Sequence, residues 1–335
     1  MINFTDEDEI EAAFEYFRRV GFPYPTMQQH QIINAFRRLQ NAKAKINKQV
    51  ETTLLEELTQ RDIEIQPIGD VFLVNYFHPH IWDSKAVNMK CPTESFKSDK
   101  LLRRALRLVL EGRGQIPLQG PKELYMTLVS GTQMCSNFRP TAAKAIYDYL
   151  KPKDVLDMST GYGGRLLGFL ASKSTGKYYG IDPSKQTCKC NLRIAKTLGV
   201  SHRVSIKCIA FEDVKSLPKI DLAFSSPPYF IKEIYDAGNT KQSRERYPKY
   251  EDWCNIFLRS IFKKTKPALR KDGILALNIM DVNIRKKLHP LVLDTMRIAD
   301  EEGYKVVEKL RMVFSGFGKG LKKEKSEPVL VFKRK

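Results

Sequence analysis

Asp154-Val-Leu-Asp157-Met-Ser-Thr-Gly161-Tyr-Gly163-Gly164-Arg165 is the stretch on which the fold turns. A short apolar strand runs straight into a glycine-rich turn, and residues 165–172 that follow have the pattern of a helix. Glycines in such a turn let the backbone reverse sharply and approach a ligand closely at a helix N-terminus. Leu166 occupies the place where a dinucleotide fingerprint would put its third glycine, so the ligand need not be a dinucleotide.

Downstream, apolar strands and helices alternate. Strands are expected over 178–181, 203–209, 220–224, 274–279, 304–314 and 328–333. Helices are expected over 184–198, 250–269, where Lys271-Asp272-Gly273 ends the last, and 288–302. A helix over 141–150 precedes the opening strand. This alternation predicts an α/β fold, a Rossmann-like seven-stranded, mostly parallel sheet with helices on both faces. Ligands of such sheets bind at the carboxyl ends of the strands. The second strand ends at Asp182, about 20 residues beyond the glycines, where a carboxylate can accept from ribose hydroxyls. The third ends near Phe211-Glu212-Asp213, an aromatic and two acids suited to flank an adenine.

The fourth strand leads into Ser226-Pro227-Pro228-Tyr229. Two prolines hold the backbone extended and remove N–H donors, leaving carbonyl oxygens as acceptors. An amino group needs acceptors for its two hydrogens if its lone pair is to face an electrophile. Tyr229 offers an aromatic face, and stacking a base on such a face contributes about 1–3 kcal/mol.

Upstream of residue 120 the texture differs. Residues 6–20 place Ile10, Ala13, Phe14, Phe17 and Val20 on one helical face. A second long helix is expected over 26–60, and the apolar run 71–77 is expected as a strand. His78-Pro79-His80 lacks a cysteine or acidic partner at ligand spacing, so no metal site is expected. A further helix over 101–110 leads to the glycine- and proline-rich stretch 112–121. The expected division is therefore a mainly helical region, 1–120, and a catalytic domain, 121–335.

The chain has 335 residues and 57 Lys+Arg against 38 Asp+Glu, a formal charge of +19. Such a field attracts polyanions. The six cysteines are scattered and suggest reduced thiols. No apolar leader and no membrane-length apolar run occurs, which suggests a cytoplasmic or nucleoid-associated protein.

These segments, from about residue 134 onward, resemble class I S-adenosylmethionine-dependent methyltransferases. The tetrapeptide looks like the signature of enzymes that methylate N4 of cytosine or N6 of adenine in DNA. The resemblance implies S-adenosylmethionine as cofactor. It implies contacts from Phe138, Arg139 and Pro140 to the methionine end, and from Asp157, Ser159, Gly161 and Gly163 along the cofactor. Asp182 falls at the ribose, Glu212 and Asp213 near the adenine, and Ser226 between cofactor and base. Ser226, Pro227, Pro228 and Tyr229 carry the chemistry, and serine at the first position leans toward N4-cytosine. No recognition domain is inserted between the two motifs, so sequence recognition falls to the first 120 or so residues or to a partner subunit. Arg244 and Arg246 in one basic loop, and Lys319, Lys322 and Lys323 in another, are expected to contact the nucleic acid together with Tyr229. DNA is the expected partner, within a restriction or phage defence system. RNA is the alternative substrate, and a non-catalytic nucleic-acid-binding protein is a third reading.

Overall fold

The structure is a computed structural model that describes residues 6–53, 56–65, 68, 70–118, 124, 128, 132, 134–314 and 325–335. The chain forms two units, each treated by itself. The smaller comprises residues 1–28, 78–136 and 233–237, and the larger 29–77, 137–232 and 238–335.

The larger unit is built on one nine-stranded sheet. Its strands are β1 (Lys45–Thr53), β2 (Glu56–Ile65), β3 (Val155–Asp157), β4 (Tyr178–Asp182), β5 (Val204–Cys208), β6 (Ile220–Ser225), β7 (Leu269–Asn278), β8 (Tyr304–Phe314) and β9 (Lys325–Arg334). Across the sheet they run β1-β2-β8-β9-β7-β6-β3-β4-β5. From β7 to β5 every neighbour is parallel. β9 lies antiparallel between β7 and β8. All seven expected strands are therefore present in one mostly parallel sheet, and among those seven only β9 is reversed. Strand order reverses between β3 and β6, so their carboxyl ends open a crevice there, the place where such sheets take ligands.

Two expectations upstream fail. The long helix over 26–60 is instead a helix α2 (Gln29–Asn41) followed by the β1–β2 hairpin. Ile46 and Val50, four apart, suit either a helix or a strand. What decides is β8, from the far end of the chain, which pairs parallel with β2 from Glu308↔Thr59 to Phe314↔Ile65. The run 71–77 is a helix, α3 (Asp70–Phe77), not a strand. A short run that is apolar throughout has no period to read. Here Leu73, Val74 and Phe77 are buried on helical spacing. The Asp70 carboxylate accepts from the Thr141 N–H at 2.8 Å, in the first turn of helix α6 (Pro140–Leu150).

The remaining helices of this unit are α7 (Gly164–Ala171), α8 (Lys185–Thr197), α9 (Arg259–Ala268) and α10 (Leu291–Glu301). The helix expected over 250–269 is interrupted. Tyr250–Asp252 leads into a six-residue π-helical turn, Trp253–Leu258, and only then into α9. Lys271-Asp272-Gly273 does not stop a helix but lies inside β7, because the helix has already ended at Ala268 after Pro267.

The smaller unit holds α1 (Asp6–Val20) and α5 (Asp99–Arg113), which share a core of Ile10, Phe14, Phe17, Leu102, Leu106 and Val109. Helix α4 (Pro92–Lys97) precedes α5, and Lys85–Ala86 pairs with Glu233–Ile234. On α5, Arg103 and Arg107 are ion-paired to Glu11 and Glu7 of α1. His78 and His80 are buried, and burial lowers His80 to about 4, so its neutral form prevails at ordinary pH. Among the described residues no cluster of His, Cys, Asp and Glu suited to a metal occurs. All six cysteines are free thiols. No helix among the described residues is long and apolar enough to cross a membrane.

Candidate functional site

The glycine loop, Asp182, the tetrapeptide and Asn278 lie at one edge of the sheet, the carboxyl edge of β3, β4, β6 and β7. The loop after β3 is shaped by glycine. Gly161 and Gly163 have φ of 52° and 75°, a region that side chains rarely enter. Gly164 is needed for closeness instead. A Cβ there would lie 1.9 Å from the Phe138 carbonyl oxygen. Gly164→Ala is therefore expected to force the 137–140 segment off the loop, at about 1–3 kcal/mol or more. A melting curve unchanged from wild type would contradict that close approach.

Asp157 does different work from that expected of a cofactor contact. It is fully buried, and its carboxylate accepts from Arg165 at 2.8 and 3.2 Å, from the Tyr178 hydroxyl at 2.6 Å, and from Ser225 Oγ at 2.8 Å. The Ser159 N–H reaches both Asp157 at 3.2 Å and Ser225 Oγ at 3.1 Å. One charge thus ties the glycine loop to the end of β6. Arg165 also donates to the Ser159 carbonyl. Burial opposes its charge, but Asp157 more than compensates and raises its pKa.

Asp182 stands at the end of β4 as expected. Its carboxylate accepts from the Gly161 N–H and the Ser184 N–H, each at 2.9 Å. Burial, only partly offset by those bonds, raises its pKa to about 6. Phe138 packs edge-on against Phe224 at 5.4 Å, Arg139 caps α6, and Pro140 is its first residue. Asn137 Nδ2 and Thr141 Oγ1, which flank these three, are buried without a partner among the described residues. Unpartnered donors, a glycine cradle and an acceptor carboxylate at the next strand end fit an amino-acid-bearing nucleoside lying along the crevice.

Glu212 and Asp213 are already engaged. Arg246 donates to Asp213 at 2.9 and 3.0 Å, and its Nη1 stands 3.0 Å from Glu212 Oε1, an ion pair not aligned as a hydrogen bond. Burial raises the Glu212 pKa. Arg246 is therefore a clamp between its loop and the end of β5, and a phosphate contact from it would require these pairs to open. Arg244 pairs with Glu245 at 2.8 Å. Lys319, Lys322 and Lys323 lie outside the described residues.

The tetrapeptide is organised by a residue whose role the sequence does not announce. Asn278, the last residue of β7, is buried, and its Nδ2 donates to the Pro328 carbonyl at 2.9 Å. That bond turns Oδ1 toward the tetrapeptide, where it accepts from Ser226 Oγ and from the Tyr229 hydroxyl, each at 3.0 Å. With their protons committed to Asn278, Ser226 and Tyr229 present lone pairs elsewhere. Pro227 is buried, and the Pro228 carbonyl accepts from the Phe230 N–H at 3.0 Å. Phe230 has φ of 55°, a left-handed conformation in a bulky residue. It is held by ring contacts to Tyr250, Trp253 and His289. Strain maintained by packing is a recurrent property of functional loops.

Comparison with known proteins addresses the same region. Residues 152–242 match the profile of the RNA cap guanine-N2 methyltransferase family. The type II methyltransferase M.MjaVI of Methanocaldococcus jannaschii is 37% identical over 87 residues, 26% of this chain and 41% of that protein. The chain thus spans about two-fifths of the length of the curated relative it matches. Among solved structures, TrmN from Thermus thermophilus matches at a TM-score of 0.40 and 15% identity, over 61% of this chain and 55% of that one. The ribosomal protein L11 methylase of Lactobacillus delbrueckii subsp. bulgaricus matches at 0.37 and 16%, over 58% and 77%. Residues 152–242, which carry the glycine loop, Asp182 and the tetrapeptide, are thus the part of the chain that is similar to known methyltransferases.

Proposed function

We propose that the protein methylates an exocyclic amino group of a base in DNA, with N4 of cytosine favoured over N6 of adenine. The observation that carries the reading is the Ser226–Asn278–Tyr229 cluster, which leaves a hydroxyl at the crevice as an acceptor. A base amino group has two hydrogens to place. Ser226 Oγ takes one and the Pro227 carbonyl the other, and the nitrogen lone pair is thereby turned out of the amide-like plane of the base. Tyr229, pinned through its hydroxyl, offers its ring to a base swung out of the helix. Bound S-adenosylmethionine supplies an electrophilic methyl for in-line transfer. The protein's contribution is positioning and fixed dipoles. Phe138, Ser159, Gly161 and Gly163 would hold the cofactor, with Asp182 at its ribose and Glu212 at its adenine. The smaller unit is the proposed recognition or partner-binding module.

The type II methyltransferase relative supports DNA. The family description favours a second reading, methylation of an RNA base amino group. Transfer of labelled methyl to DNA and to RNA, followed by nucleoside analysis, separates them and names the base. Ser226→Ala and Tyr229→Ala are expected to abolish transfer while retaining cofactor binding. Full activity in both would overturn the reading.

Asp182 makes cofactor binding depend on pH. Its folded pKa is raised, so the carboxyl is protonated below about 6 and ionised above. Ribose hydroxyls bond better to the ionised form, so affinity is expected to weaken as pH falls through 6, with proton release on binding near that pH. For stability alone the sign is opposite: a raised carboxyl favours the fold at low pH, and that advantage is lost as pH rises toward 6. Calorimetric titration with S-adenosylhomocysteine in buffers of different ionisation heat would read the released proton. A pH-independent affinity would remove Asp182 from the ribose.

A further inference from the structure

The cations of this chain are divided unevenly between paired and unpaired. Arginines at 61, 165, 246, 259, 270 and 311 are all held by carboxylates of the chain itself. Helix α8 is different. Its sequence, KQTCKCNLRIAKT, has four basic residues and no acid. Lys185, Lys189 and Lys196 fall within about 40° of one another around the helix axis, and all three are exposed. The stripe is about 16 Å long. None of the three is paired with a carboxylate among the described residues. Lys185 also sits in the first turn, where the helix dipole disfavours a cation and no acid compensates. A local conflict of this kind, uncorrected by the chain, marks a surface that meets negative charge from outside.

The stripe is continuous with the catalytic side of the unit. Asn239 donates through Nδ2 to the Pro183 carbonyl at 3.3 Å, just before the Ser184 cap of α8. Its Oδ1 accepts from the Lys241 N–H at 3.0 Å, which fixes the exposed Lys241 beside the start of the helix. Lys241 follows the tetrapeptide in the chain, and Asp182, the ribose candidate, immediately precedes Pro183.

We infer that the DNA backbone runs from the tetrapeptide past Lys241 and along the Lys185–Lys189–Lys196 face of α8. The inference rests on the DNA reading above and deepens it by placing the duplex. Phosphate contacts position a duplex without reading sequence, so this surface contributes affinity and register rather than site choice.

The test uses the full-length protein and a non-specific DNA duplex, with binding followed by anisotropy across a salt series. Each phosphate contact adds about 0.9 to the slope of log affinity against log salt. Replacing Lys185, Lys189 and Lys196 together by Gln is expected to reduce that slope by about 2.7. The KM for DNA should rise and kcat at saturating DNA should stay unchanged. Lys263, Lys271 and Lys305, also exposed, provide a control with the same charge change and an expected unchanged slope. An equal loss in both triple variants, or none in the first, overturns the inference. A loss seen with single-stranded RNA and not with the duplex overturns it in favour of RNA. Absence of methyl transfer by the wild-type protein, with the salt slope behaving as expected, would instead overturn the catalytic reading and leave the docking surface standing.

Discussion

Asn278→Ala is expected to lower kcat for methyl transfer by about 10²–10³, the loss typical of removing one preorganised polar group from a catalytic centre. The substitution removes the oxygen that accepts from both Ser226 and Tyr229. The two hydroxyls then turn freely, and the Ser226 proton competes with the substrate amine for the same space. The Tyr229 ring loses the anchor that holds its face. Affinity for S-adenosylhomocysteine should be unchanged, because no bond of Asn278 reaches the glycine loop or Asp182. Asn278→Asp separates orientation from mere occupancy. It keeps an oxygen toward the hydroxyls but sets another against the Pro328 carbonyl, where Nδ2 now donates. Activity near wild type in Asn278→Ala would remove the residue from the catalytic arrangement.

Arg165→Met is expected to be the most destabilising of the substitutions considered, by about 3–5 kcal/mol. It leaves the Asp157 carboxylate buried with its strongest partner gone. In thermal denaturation this corresponds to a fall of roughly 6–20 °C for a domain of this size. The informative result is the double variant. Adding Asp157→Asn removes the stranded charge and should recover much of the loss, because a buried pair replaced at both positions costs far less than one broken at one. Methyl transfer should not recover in parallel, since Asp157 also holds Ser225 and the Ser159 N–H in place. A double variant as unstable as Arg165→Met would mean that packing, not charge, is what Arg165 supplies.

The parts of this architecture legible in the sequence are those written within a few residues. The glycine loop, Asp182 and the tetrapeptide each follow an apolar strand directly, and strand and turn are both short-range signals. Asn278 was within a recognised strand yet carried no mark of its role, because its partners come from the loop after β6 and from β9. Asp157 read as a ligand contact because its position at a strand end is right. Only the burial of Arg165 and Tyr178 against it shows the charge is satisfied within the chain. Arg246 read as a phosphate contact for a similar reason, since Glu212 and Asp213 lie far from it in sequence. The 71–77 run and the β1–β2 hairpin misled because neither has a local signal that separates strand from helix. Their neighbours, Thr141 for the first and β8 for the second, make that choice.

The pairing of β2 with β8 also imposes an order of assembly. Residues 56–65 leave the ribosome long before the strand they join, and Arg61–Glu308 and Asp62–Arg311 lock the two together. β9 is what joins β8 to β7, so until residues 304–314 and 325–334 have both emerged the hairpin has no sheet to join, and a two-stranded ribbon by itself is marginal in water. The strand at the sheet's far edge is thus synthesised before the strands through which it is seated. That long wait is a built-in check, since a polypeptide cut short anywhere before β9 cannot complete the sheet.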